Sequence, residues 1–158
     1  MPDYIMFWRV TEPNRQLSQW YPSKIVEDGI TFCSAEQYMM YHKAMLFGDT
    51  VTANKILMND SPQIIKNLGR LVANFDENIW VENREKIILQ GNYLKFSQNA
   101  HLKRFLLRCP ADAIFVEASP YDRIYGIGYS AKTAIKNHKK WGLNLLGKAL
   151  NETYKLLV

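Results

Sequence analysis

Glu36 and Lys43 fall on one stripe of a helix-forming segment, Ala35 to Phe47, about 10 Å apart along the axis at roughly 1.5 Å per residue. A carboxylate and an ammonium so spaced span the length of a phosphorylated sugar. Further along, the loop SPYDRIYGIGY offers a second carboxylate, Asp122, beside a cation, Arg123, two rings, Tyr121 and Tyr125, and two permissive glycines, Gly126 and Gly128. Loops at strand ends are common seats of catalytic groups. Each feature also has a plain structural reading. An acid in a first helical turn complements the helix dipole, a lone lysine is commonly solvated, and Gly-x-Gly without a third glycine and a following helix is no dinucleotide fingerprint.

The first pair needs a hairpin and a capped helix to hold it. Asp28-Gly29 between Ile25-Val26 and Ile30-Phe32 predicts a tight turn, because both central positions require positive φ. Ser34 with Gln37 has the spacing of a capping box, so a helix is expected to start at Ala35. In it Ala35, Tyr38, Met39, His42, Met45 and Leu46 form one expected buried face, and Glu36, Met40, Lys43 and Phe47 a second stripe. Upstream, residues 5–10 suit a strand. Trp20 and Tyr21 before Pro22 are expected in an extended segment, as a pocket wall or as core.

Downstream, Asp49 to Met58 and Ser61 to Leu68 predict two short helices, the first capped by Asp49 or Thr50 and the second opened by Pro62. Gly69 suits a helix C-cap, and Arg70 beyond it is free to satisfy terminal carbonyls or to bind phosphate. Asp76 to Gln98 is the longest periodic segment. Its Trp80, Arg84, Ile87, Ile88, Gly91, Leu94 and Lys95 share a side, so cations bracket an apolar face. Buried cations are costly unless paired, which leaves Arg84 and Lys95 either to snorkel outward or to line a cavity holding negative charge. Asn99 is expected to cap a helix through Arg108, residues 113–118 to form a strand, and Trp141 to Val158 to close the chain as a helix with Leu143, Leu146, Leu150, Tyr154 and Leu157 inward.

The chain has 158 residues, 47% of them hydrophobic and 13% aromatic, with no linker-like stretch, so one domain with one core is expected over residues 1–158. Four Trp and nine Tyr exceed what a small core needs and favour a flat ligand. A net charge of +5 and a pI near 9.2 favour an anionic partner. The Lys132 to Lys140 run is the densest basic stretch, and reads as a mobile basic loop or as a contact for phosphates. Cys33 and Cys109 lack a paired spacing, the N-terminus has no secretion signal, and no apolar run approaches the ~20 residues of a membrane helix. A cytoplasmic protein with reduced thiols, away from membranes, is expected. His42, His101 and His138 are dispersed without metal-like spacing, so no metal site is expected, and no cofactor.

Seven motifs in order are similar to the YbiA-like or NADAR (NAD- and ADP-ribose-related) family. Leu17-Ser18-Gln19-Trp20-Tyr21-Pro22 resembles its opening, with Gln19 where the family has asparagine. Ser34-Ala35-Glu36-Gln37-Tyr38 with Lys43, then Gly69-Arg70, then Trp80 with Arg84, then Lys95-Phe96-Ser97-Gln98-Asn99 follow. Val116 through Gly128 resembles the family's Val-Glu-x-Ser-Pro-x-Asp-x-x-Trp-Gly-x-Gly, with Tyr125 for tryptophan, and Gly142 through Gly147 its Gly-x-Asn-x-Leu-Gly.

The resemblance implies an α+β fold, predominantly helical with a few short strands, and an N-glycosidase that hydrolyses the bond between a ribosyl carbon and a nitrogen. Its implied substrates are riboflavin-pathway phosphoribosylamino intermediates or ADP-ribosylated guanine, as a small molecule or within nucleic acid. It implies Glu36 and Asp122 as catalytic, and Trp20, Lys43, Arg70, Trp80, Arg84, Lys95, Ser119, Tyr125, Gly126 and Asn144 as substrate-binding. An oxocarbenium-like state needs a fixed anion near the anomeric carbon and a proton donor for the leaving nitrogen, labour that two carboxylates divide in either order. Two other readings stand beside it: a non-catalytic module for ADP-ribose or NAD, and a nonspecific nucleic-acid binder using Lys132 to Lys140.

Overall fold

A computed structural model describes residues 2–158, so Met1, the first residue of the expected domain, lies outside them. In chain order they form β1 (Tyr4–Phe7), a 3-10 turn (Arg15–Leu17), β2 (Ile25–Glu27), β3 (Ile30–Phe32), α1 (Ala35–Leu46), α2 (Thr50–Leu57), α3 (Pro62–Gly69), α4 (Glu77–Gln98) and α5 (Ala100–Leu107). β4 (Ile114–Glu117), α6 (Ala131–Ala134), a second 3-10 run (Ile135–Lys140) and α7 (Leu145–Leu157) complete the chain. The fold is α+β and predominantly helical. The chain divides into two compact units, residues 22–99 and residues 2–21 with 100–158.

In residues 22–99, β2 and β3 pair antiparallel around Asp28-Gly29, both with positive φ, as the turn chemistry requires. Ile25 and Phe32 from the hairpin pack with Ala35 and Tyr38 of α1 into a buried cluster. Ser34 caps α1 by accepting the Gln37 N–H at 3.1 Å, while the Gln37 side chain accepts from the Cys33 N–H and donates to the Ile56 and Asn59 carbonyls. The same glutamine therefore helps start α1 and ties it to the end of α2. Asp49, Ser61 and Asp76 each accept an N–H at the start of α2, α3 and α4.

α1 is buried nearly all round from Ala35 to Met40, so both expected stripes go inside. Met45, expected in the core, is exposed. Gly69 is no C-cap: it is the last residue of α3, and a Cβ there would strike the Met40 thioether. Gly91 likewise lets α4 lie against the Tyr38 ring, which an added Cβ would meet at 2.7 Å. Asn99 stands between α4 and α5, closing the first where the second begins, and its side-chain amide donates to the Lys95 and Lys24 carbonyls.

In the other unit β1 and β4 pair in parallel, Tyr4 opposite Ile114 and Phe7 opposite Glu117. The free edge of β4 is covered by two α7-side asparagines. Asn144 donates to the Phe115 carbonyl and accepts from the Glu117 N–H, and Asn151 donates to the Ala113 carbonyl and accepts from the Phe115 N–H. Side-chain amides thus replace a third strand. Gly147 permits this approach, since a Cβ would run into the Phe115 carbonyl and the Asn144 amide. Leu143, expected in the core stripe, precedes α7 and is exposed. Lys132 to Lys140 is helical, in α6 and the 3-10 run that follows, and is no loop. Among the described residues no helix is long and apolar enough to cross a membrane.

Candidate active site

Each unit carries its own share of the expected residues. In residues 22–99, Glu36 sits in the first turn of α1 and is only 5% exposed, so its setting is an enclosed one and not that of a solvated dipole partner. Lys43 is half-buried on the same stripe, with its ammonium 4.8 Å from the Phe75 ring centroid and 5.6 Å from that of Trp80. Burial lowers the Lys43 pKa, Glu36 and Glu77 oppose that shift, and Arg70 adds to it. Two carboxylates and a second cation therefore lie within electrostatic reach of one ammonium. Glu36, Lys43, Arg70 and Trp80 are therefore brought together.

The cations of α4 do not snorkel. Arg84 is 8% exposed and Lys95 is fully enclosed. Burial pushes Lys95 down to about 7, and the Nε of Arg84 is buried without a hydrogen-bond partner among the described residues. Sequence reasoning missed Phe75 and Glu77. Their signal was present: Phe75 precedes the Asp76 cap and Trp80 lies at the fourth helical position, the pair a hydrophobic staple uses, with Glu77 as first-turn acid.

In the other unit the loop after β4 is fixed from several sides. Asp122 Oδ1 accepts the N–H groups of Ile124 and Tyr125 at 2.8 and 2.9 Å. The carbonyls of Ile124, Tyr125 and Gly126 accept the N–H groups of Leu145, Leu146 and Asn144, so the loop caps α7. Asp122 is half-buried, and its Oδ2 takes no hydrogen bond among the described residues. Ser119 is buried and its hydroxyl accepts the Tyr121 N–H at 3.4 Å. Gly126 lies against the Glu117 carbonyl and carboxylate, leaving no room for a Cβ. In this structure Gly126 and Asn144 hold the loop and strand in place.

Trp20 is half-buried in a turn where an extended segment was expected. Ser18 accounts for the difference, accepting the Trp20 N–H on its hydroxyl and the Tyr21 N–H on its carbonyl. The proline restriction acts on Tyr21 alone.

A family model for the NADAR domain matches residues 6–158. The chain belongs to the NADAR family. An N-glycosidase of Acanthamoeba polyphaga mimivirus is 46% identical over 140 residues, which cover 84% of this NADAR chain and 82% of the viral protein. Protein irg-1 of Caenorhabditis elegans is 35% identical over 127 residues, 78% of this chain and 59% of that protein. The solution structure of the Escherichia coli protein YbiA matches with a TM-score of 0.76 at 25% identity, covering 99% of this chain and 85% of YbiA. The NADAR fold is thus shared with YbiA.

Proposed function

We propose that this chain is an N-glycosidase, a hydrolase that cleaves the C–N bond between a ribosyl or phosphoribosyl group and a nitrogen base or amine. The observation that carries the proposal is Glu36, a carboxylate enclosed at a helix N-terminus within reach of Lys43, in a chain closely similar to a protein named as an N-glycosidase. As the C–N bond breaks, its electron pair goes to nitrogen and positive charge gathers on the ribosyl carbon. Glu36 offsets that charge and takes a proton from the attacking water, whose oxygen bonds to the carbon; passing that proton on to the nitrogen releases the base and returns Glu36 to its ionised form.

Asp122 is the second carboxylate of this reading: its Oδ2, which takes no hydrogen bond among the described residues, accepts from ribose hydroxyls, while Oδ1 keeps the loop in place. Lys43, Arg70 and Arg84 neutralise phosphate, Lys95 being too enclosed to touch it, and the unpartnered Nε of Arg84 supports an anionic ligand there. Trp80 in residues 22–99, and Trp20 and Tyr125 in the other unit, are the rings this reading offers to a flat ligand, and Ser119, Gly126 and Asn144 are its remaining binding positions. The substrates are riboflavin-pathway phosphoribosylamino intermediates or ADP-ribosylated guanine, free or within nucleic acid, met in the cytoplasm. Residues 1–158 act as one NADAR domain, since the family model spans both units.

Glu36→Gln tests the proposal, because it keeps size and removes charge. With both substrate types, release of free base is expected to fall about 100-fold or more, with circular dichroism and ADP-ribose binding retained. Unchanged turnover would remove Glu36 from the mechanism. If the wild type binds ADP-ribose and turns over neither substrate, the non-catalytic reading replaces this one.

A further inference from the structure

Because β1 and β4 run parallel, their carboxyl ends lie side by side, a neighbourhood fixed by the Ala118 N–H donating to the Phe7 carbonyl at 2.8 Å. Trp8 and Arg9 follow the first strand, and the loop bearing Asp122 follows the second. There the Trp8 and Tyr121 rings approach to 5.8 Å between centroids at 54°, and the Arg9 guanidinium lies 4.0 Å from the Trp8 centroid. Tyr121 is 83% exposed, so its ring is not there to fill a core. Glu12 accepts the Arg9 backbone N–H at 3.3 Å, and the guanidinium makes no ion pair among the described residues. An open ring, a second ring behind it and an uncommitted planar cation are what a base with its phosphate requires.

We propose that Trp8, Arg9 and Tyr121 form a nucleotide subsite, with a planar base stacked on Tyr121 and its phosphate held by Arg9. The proposal rests on the reading of Asp122, the neighbour of Tyr121, as a group that grips substrate. It adds a second planar group to that substrate, beyond the base that leaves. The nucleotide is either the distal half of a dinucleotide-like small molecule or the neighbour of the modified residue in a nucleic-acid strand.

Calorimetric titration of AMP, a single-stranded adenine trinucleotide and ribose 5-phosphate into wild type, Tyr121→Ala, Tyr121→Phe and Arg9→Gln separates the outcomes. AMP or trinucleotide binding is expected to weaken at least about fivefold in Tyr121→Ala, the lower end of what one base–aromatic stack contributes. Tyr121→Phe keeps the affinity, Arg9→Gln loses part of it, and ribose 5-phosphate is indifferent to Tyr121→Ala. Weakening confined to AMP assigns the subsite to a small molecule, and weakening confined to the trinucleotide assigns it to a strand. Unchanged affinity for both, no binding of either by the wild type, or equal weakening for ribose 5-phosphate overturns the subsite. Binding is read without turnover, so an active Glu36→Gln protein would end the catalytic reading and leave this result standing.

Discussion

Lys95 is enclosed on every side, and burial alone pulls its ammonium from 10.5 to about 7. Between those values the unfolded chain holds a proton on this side chain that the folded chain has given up. Stability therefore rises with pH across that window, by up to about 1.4 kcal/mol per pH unit for one group. Below about 7 both states are protonated and the folded one bears the full cost of the buried charge. Lys95→Met keeps an unbranched side chain without the titration. Its urea midpoint is expected to lose the climb between pH 7 and 9 that the wild type shows; parallel climbs in the two proteins would mean that another group sets the pH dependence. Tyr38 gives the opposite case. Burial and its hydrogen bond to Glu27 at 2.8 Å both raise its pKa, so the phenol stays protonated and holds the hairpin to α1.

At the scale of elements, the glycines of α3 and α4 decide how closely these helices lie against α1. An alanine Cβ at Gly91 meets an aromatic ring that has no room to bend away, whereas at Gly69 it meets a thioether that can rotate. Overpacking costs about 1–3 kcal/mol, offset by up to about 1 kcal/mol of helix propensity. Gly91→Ala is expected to destabilise by about 1 kcal/mol or more in urea denaturation and Gly69→Ala by distinctly less, and a reversed order would refute the packing argument. The local devices were readable in advance. The Asp28-Gly29 turn, the caps at Ser34 and Asp49 and the Ser61-Pro62 helix start depend on four or five neighbouring residues, and so did the shared stripe of Glu36 and Lys43. What periodicity does not carry is which partner covers a face. Met45 and Leu143, apolar and expected inside, are exposed, and Arg84 and Lys95 go inward against their own desolvation cost. The pairing of Asn144 and Asn151 with β4, and the position of Phe75 under Lys43, depend on contacts between distant segments.

For the whole molecule, the proposal that residues 1–158 act as one domain predicts a single unfolding transition. Trp80 is the one tryptophan among residues 22–99, while Trp8, Trp20 and Trp141 belong to the other unit. In a Trp80→Phe protein, fluorescence reports the latter unit and far-ultraviolet dichroism is dominated by α1 to α4 of the former. Coincident transitions are expected; two separated midpoints would divide the chain into independent domains. The parallel pairing of Tyr4 with Ile114 also orders events on the ribosome. β1 is made well before β4, so the hairpin and the helices through α4 can assemble while β1 still lacks its neighbour. Translation stalled before Ile114 would leave that segment open to proteases and chaperones.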